Sequence, residues 1–86
     1  MTIKISKEVL AQELAGETVL LDLASESYFG LDAVGTRVWQ LLQSGAGKAE
    51  LIDTLLDEYE VERNTLEKDI TDLLQRLAEA GLITVE

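Results

Sequence analysis

The sequence predicts an α+β domain, winged helix-turn-helix-like, in which a three-stranded antiparallel sheet is followed by three helices. Two observations carry that prediction. Short runs of apolar residues broken by turn signals extend to Leu31, and from Asp32 onward the apolar residues recur at helical spacing. No Pro, repeat or low-complexity linker interrupts the 86 residues. The chain therefore reads as one domain over 1–86, with sheet about 8–31 and helices about 33–44, 48–59 and 64–80. A plain three-helix bundle with an appended hairpin has the same pattern.

Val9 to Ala15 alternates imperfectly and meets a turn at Gly16-Glu17, which makes it the first strand. Val19 to Leu23 is the second, with Val19, Leu21 and Leu23 on one face and Leu20 and Asp22 on the other. Ser27 to Leu31 is the third, placing Phe29 and Leu31 on one face and Tyr28 and Gly30 on the opposite one. Short connections make the three a meander, with the second strand central and the first and third as edges. Asp32 reads as the N-cap of the first helix, Ala33 to Ser44, whose apolar side holds Val34, Val38, Leu41 and Leu42 with Trp39 flanking. Gly45-Ala46-Gly47 ends it. The second helix, Lys48 to Tyr59, sets Leu51, Ile52, Leu55, Leu56 and Tyr59 against an acidic face. Asn64-Thr65-Leu66-Glu67 resembles a capping box for the third helix, whose stripe is Leu66, Ile70, Leu73, Leu74 and Leu77. Gly81 stops that helix, and Leu82 to Val85 forms a short extended tail.

Composition excludes several function classes. Neither Cys nor His occurs, which removes disulfides, thiol nucleophiles, the usual zinc sites and imidazole acid–base chemistry. The remaining Asp, Glu, Ser, Thr, Tyr and Lys are not paired in any catalytic pattern, so no enzyme, metal or cofactor is expected. Seven basic against seventeen acidic residues give a net charge of −10, which repels phosphate backbones and argues against nucleic acid. The acidity serves solubility, or steers toward a basic or neutral partner. No apolar run approaches a membrane span, and Met1-Thr2-Ile3-Lys4-Ile5 lacks the apolar core of a secretory signal, so a cytoplasmic protein is expected.

The third strand is the leading candidate site. A small sheet beside helices ends at an open edge, and an extended peptide can add itself there as a further strand. Phe29, Leu31 and Asp32 have structural roles in core and cap. Tyr28 and Gly30 face away from that core, and a glycine in an edge strand lets another backbone approach. The third-helix stripe is broad enough to serve the core and to line a slot beside the strand. Asp69, Asp72 and Arg76 border it and are placed to hold polar groups of a guest. Ser25, in Ala-Ser-Glu between strands, does not match the Asp-Ser-Leu helix start of a phosphopantetheine carrier protein, and that function is rejected.

These residues also carry a resemblance. Val19-Leu20-Leu21-Asp22-Leu23, Tyr28-Phe29-Gly30-Leu31-Asp32, Val34-Gly35 and Val38-Trp39-Gln40-Leu41-Leu42, then Tyr59, Asp69, Leu73-Leu74, Leu77 and Gly81-Leu82-Ile83, follow one another as in the PqqD-like family. Members of that family are precursor-recognition elements of ribosomally made, post-translationally modified peptides. The Tyr-Phe-Gly-Leu-Asp form most resembles the stand-alone recognition proteins of lasso-peptide pathways, and the likeness spans about residues 6–84. It implies a fold that binds a leader peptide instead of DNA, the leader adding antiparallel to the third strand with its apolar side chains entering the cleft against the third helix. The site residues so implied are Ser27, Tyr28, Phe29, Gly30, Leu31, Leu66, Asp69, Ile70, Leu73, Arg76 and Leu77. Implied partners are the precursor peptide, a leader peptidase of cysteine-protease type and an ATP-dependent macrolactam synthetase. Ala46-Gly47-Lys48 departs from relatives that cap the second helix with Thr or Ser, a matter of stability more than binding. Two other functions compete with leader binding. A winged-helix DNA-binding regulator would read DNA with the third helix, which is net negative despite Arg63, Lys68 and Arg76. An interaction domain would dimerise through the open sheet edge.

Overall fold

Two tight turns set the register of everything that follows them. The computed structural model describes residues 2–86. Its elements are β1 (Ile3–Ile5), β2 (Val9–Leu14), β3 (Glu17–Asp22), β4 (Ser27–Leu31), α1 (Ala33–Gln43), α2 (Lys48–Glu58), α3 (Arg63–Glu79) and β5 (Ile83–Val85). Leu14 pairs with Glu17 across a two-residue loop in which Ala15 (φ 52°) and Gly16 (φ 82°) are both left-handed. That geometry matches the twist of the flanking strands. The second turn is organised by Asp22. Its carboxylate, buried within the fold, accepts from the Ala24 N–H at 3.1 Å and from the Ser25 hydroxyl at 2.9 Å.

The sheet is the expected meander, β2-β3-β4, antiparallel throughout, and β3 is central. Its core face is the even-numbered side of β3, because the register puts Leu20 opposite Phe29 and Thr18 opposite Leu31. Thr18, Leu20 and Asp22 are buried, whereas the more apolar side of the same segment, Val19 and Leu23, faces outward. One feature was not expected. Ile3–Ile5 pairs with Ile83–Val85 as a separate two-stranded antiparallel sheet, with Ile5 opposite Ile83, so the tail from Leu82 returns to a real partner.

Helix α1 packs over the sheet's inner face, and α3 packs on α2 and β5. The core draws Leu20 and Leu31 from the sheet, Val38, Trp39 and Leu42 from α1, and Leu51, Ile52 and Leu55 from α2. From α3 it takes Leu66, Ile70, Leu74 and Leu77, and the terminal sheet adds Ile3 and Ile83. The Asp32 cap forms as expected, its carboxylate accepting from the Gly35 N–H at 2.8 Å. Two expectations are corrected. The capping box at Asn64 does not form, because α3 begins at Arg63 after Glu62, which makes no side-chain cap bond. Val34, expected on the core side of α1, is exposed, since it faces the open space beside β4 and not the core. Gly81, at φ 77°, ends α3 as expected.

Candidate functional site

Because β4 is the last strand of its sheet, only β3 bonds to it. Among the described residues, no other backbone group pairs with Ser27–Leu31. Its outer edge therefore presents free N–H and C=O groups, the template that an extended guest chain needs. A closed edge here would have removed the physical basis for strand addition.

Beside that edge lies a cavity of about 570 Å³. Gly30 and Leu31 of β4 form one wall and Val34 and Gly35 of α1 close one end. Tyr59 and Val61, in the connection between α2 and α3, form the rim. The opposite wall is α3, with Leu66, Ile70 and Leu73 as apolar lining and Asp69, Asp72 and Arg76 as the polar margin. A second, shallower cavity of about 600 Å³ adjoins it, lined by Tyr28, Phe29, Gly30, Arg76, Glu79 and Ala80. The two share Gly30 and Arg76, so together they run along the length of β4. At the seam the Arg76 guanidinium sits 5.4 Å from the Phe29 ring centroid, a cation–π contact.

Most of the residues predicted from sequence converge on this groove. Tyr28, Phe29, Gly30 and Leu31 line it from the strand, and Leu66, Asp69, Ile70, Leu73 and Arg76 line it from α3. Tyr28 is 75% exposed, so its ring stands free at the sheet margin. Ser27 lies on the open strand but lines neither cavity, which leaves it a backbone role. Leu77 is fully buried in the core and lines neither cavity, so it supports the wall from behind. Sequence reasoning placed Val34 and Tyr59 in helix stripes and passed over Val61. The signal for the last two was present: an apolar pair inside the acidic run Glu58-Tyr59-Glu60-Val61-Glu62 has no reason to be there unless something covers it.

One ion pair braces the rim. Arg37 of α1 donates from Nε to Oε1 of Glu58 at 2.9 Å and from Nη2 to Oε2 at 2.8 Å, a bidentate fork at the end of α2 next to Tyr59. The hydrogen bond from Arg37 holds the Glu58 carboxyl below the usual glutamate range, and the same bond pushes the Arg37 guanidinium up. Among the described residues, no group of three or more acidic side chains is placed to hold a metal ion. No helix there is long and apolar enough to cross a membrane.

Comparison with known proteins fits this geometry. No curated protein matches the chain. Two solved structures do. TbiB1 in complex with the TbiA(beta) leader peptide is 43% identical, with a TM-score of 0.91 over 96% of each chain. Lasso peptide synthetase B1 complexed with the leader peptide is 31% identical, with a TM-score of 0.86 over 96% of this chain and 98% of that one. The family model of coenzyme PQQ synthesis protein D matches residues 17–83, from the first residue of β3 to the first of β5. That span holds both walls of the groove, and the chain belongs to the PqqD family.

Proposed function

We propose that this protein is a non-catalytic, cytoplasmic leader-peptide-binding protein of lasso peptide biosynthesis. It captures a ribosomal precursor by strand addition to β4 and presents it to a leader peptidase of cysteine-protease type and an ATP-dependent macrolactam synthetase. The carrying observation is the free edge of β4 beside a groove with an apolar α3 wall. The guest backbone completes the ladder, and alternate side chains enter the groove against Leu66, Ile70 and Leu73.

The magnitudes suit capture followed by release. About four new backbone hydrogen bonds at ~1 kcal/mol each and three apolar anchors at ~2 kcal/mol each sum to roughly 10 kcal/mol. Ordering a disordered leader costs about 2–5 kcal/mol of that. The remainder, about 5–8 kcal/mol, corresponds to affinities from roughly 0.2 mM to about 1 μM. With the leader in the groove, the outward face of the sheet stays uncovered. Leu10, Leu14, Val19 and Leu23 are exposed there, a surface on which processing enzymes can dock.

Titration of a fluorescently labelled leader peptide tests strand addition directly. Binding is expected in the micromolar range and is expected to be lost with Tyr28→Asp. N-methylation of alternate leader residues, which deletes their donors, abolishes binding in one phase of the alternation and spares it in the other. Equal tolerance of both phases rules out a β-ladder.

A further inference from the structure

The groove is electrically lopsided, and its polarity bears on which leaders it accepts. The following rests on the leader-binding reading above. Asp69 and Asp72 line the deep cavity, and no basic side chain of the described residues lies within salt-bridge distance of either. Arg63, the basic residue opening α3, is committed to Asp53 at 3.3 Å and Glu67 at 3.4 Å. Among the described residues Lys68 makes no ion pair, and Arg76 covers Phe29 at the far end without one. The third carboxylate of the cavity, Asp32, is occupied in capping α1. Two carboxylates thus border an apolar wall without a salt-bridge partner among the described residues, Arg76 of the same cavity included.

Chain direction converts that asymmetry into sequence. Leu31, at the end of β4, shares its cavity with Leu66 and Asp69 near the start of α3, whereas Tyr28 shares its cavity with Glu79 and Ala80 at the other end. Hence α3 runs opposite to β4. A guest that continues the antiparallel meander enters beside Leu31 and leaves beside Ser27, the pairing that is also slightly the more stable. Its N-terminal residues lie against Asp69 and Asp72, and its later ones against Arg76. Seven residues of α3 separate Asp69 from Arg76, roughly 10 Å along the axis or about three residues of extended chain.

We infer that the groove selects leaders carrying Lys or Arg on the N-terminal side of their apolar anchors, about three residues before the one beside Arg76, with Asp69 and Asp72 as the specificity-determining pair. The net charge of −10 reinforces this choice by steering a basic segment toward the protein.

Phage-displayed random 16-residue peptides, selected on the wild-type protein and screened for loss of capture by Tyr28→Asp, provide the probe. Lys or Arg is expected to be enriched N-terminal to the apolar positions. A selected peptide with its Lys replaced by Gln is expected to bind about 2- to 5-fold more weakly, as loss of an exposed charge pair does. The Asp69→Asn/Asp72→Asn protein should show that loss with the Lys peptide and no further loss with the Gln peptide. High salt removes the same increment. Equal weakening of both peptides by the double substitution, or basic enrichment only on the C-terminal side, overturns the inference while leader binding stands. If selection yields no peptide sensitive to Tyr28→Asp, leader binding at this groove fails and the inference fails with it.

Discussion

Gly30 separates what the free fold needs from what a guest needs. A Cβ built on Gly30 meets no atom within 4 Å, and its backbone is not in the left-handed region. Gly35 is the contrast, since a Cβ there would lie 3.1 Å from Leu31 Cδ2, so the packing of α1 on β4 favours a glycine. Nothing in the unliganded fold demands one at position 30. Glycine weakens a strand through the freedom it gives the unfolded chain, so Gly30→Ala is expected to raise stability by about 0.4–1 kcal/mol. It should also weaken leader binding about fivefold, ~1 kcal/mol, because an edge-strand glycine lets another backbone approach more closely than a residue with a Cβ does. Thermal denaturation and peptide titration of the same variant check both signs. A more stable protein with unchanged affinity would remove Gly30 from the site.

At the scale of elements, α3 does two jobs with residues one turn apart. Ile70 lines the groove but is 2% exposed and anchored in the core, while Leu73 is only partly buried and more open to the groove. Ile70→Ala should therefore cost about 2–5 kcal/mol of stability, a large share of the total for so small a domain. Leu73→Ala should spare most of the stability and reduce leader affinity about 10- to 30-fold, the equivalent of ~1.4–2 kcal/mol. Urea unfolding and titration on both variants check this; comparable stability losses would mean that α3 has no dedicated binding side. The division between core and groove was legible in sequence only in part. The stripe, the meander and the open β4 edge follow from local periodicity and turn residues, which one sequence carries. The pairing of Ile3–Ile5 with Ile83–Val85 does not, because three-residue strands give almost no alternation and their partners lie at opposite ends of the chain. Which side of β3 faces inward was hidden for a related reason. Val19 and Leu23 are as apolar as Leu20, and only the register with Phe29 and Leu31 decides. Tyr59 and Val61 reach the groove through the path of the α2–α3 connection, which no periodicity encodes.

Across the whole molecule, two charge effects respond to acid in opposite directions. At neutral pH the net charge of −10 makes the fold repel itself, and protonation toward the isoelectric point near 4.2 relieves that repulsion. The Arg37–Glu58 fork behaves oppositely. Because Arg37 holds the Glu58 carboxyl below its ordinary value of about 4.3, the folded state binds that proton less readily than the unfolded chain does. The fork's contribution is complete above the ordinary value and fades as pH falls through the depressed one. The titration of Arg37 lies too far up to enter. Wild-type stability alone mixes the two effects, but Glu58→Gln leaves the general repulsion nearly intact while deleting the titration. The melting-temperature gap between wild type and Glu58→Gln should therefore be present at pH 7, narrow below pH about 4, and close at lower pH. A gap that stays constant over this range would mean that the fork acts through shape and not through charge. Since Tyr59 follows Glu58 at the rim of the groove, leader affinity measured on the same two proteins should differ at pH 7 and converge in acid, which ties the brace between α1 and α2 to the width of the cleft.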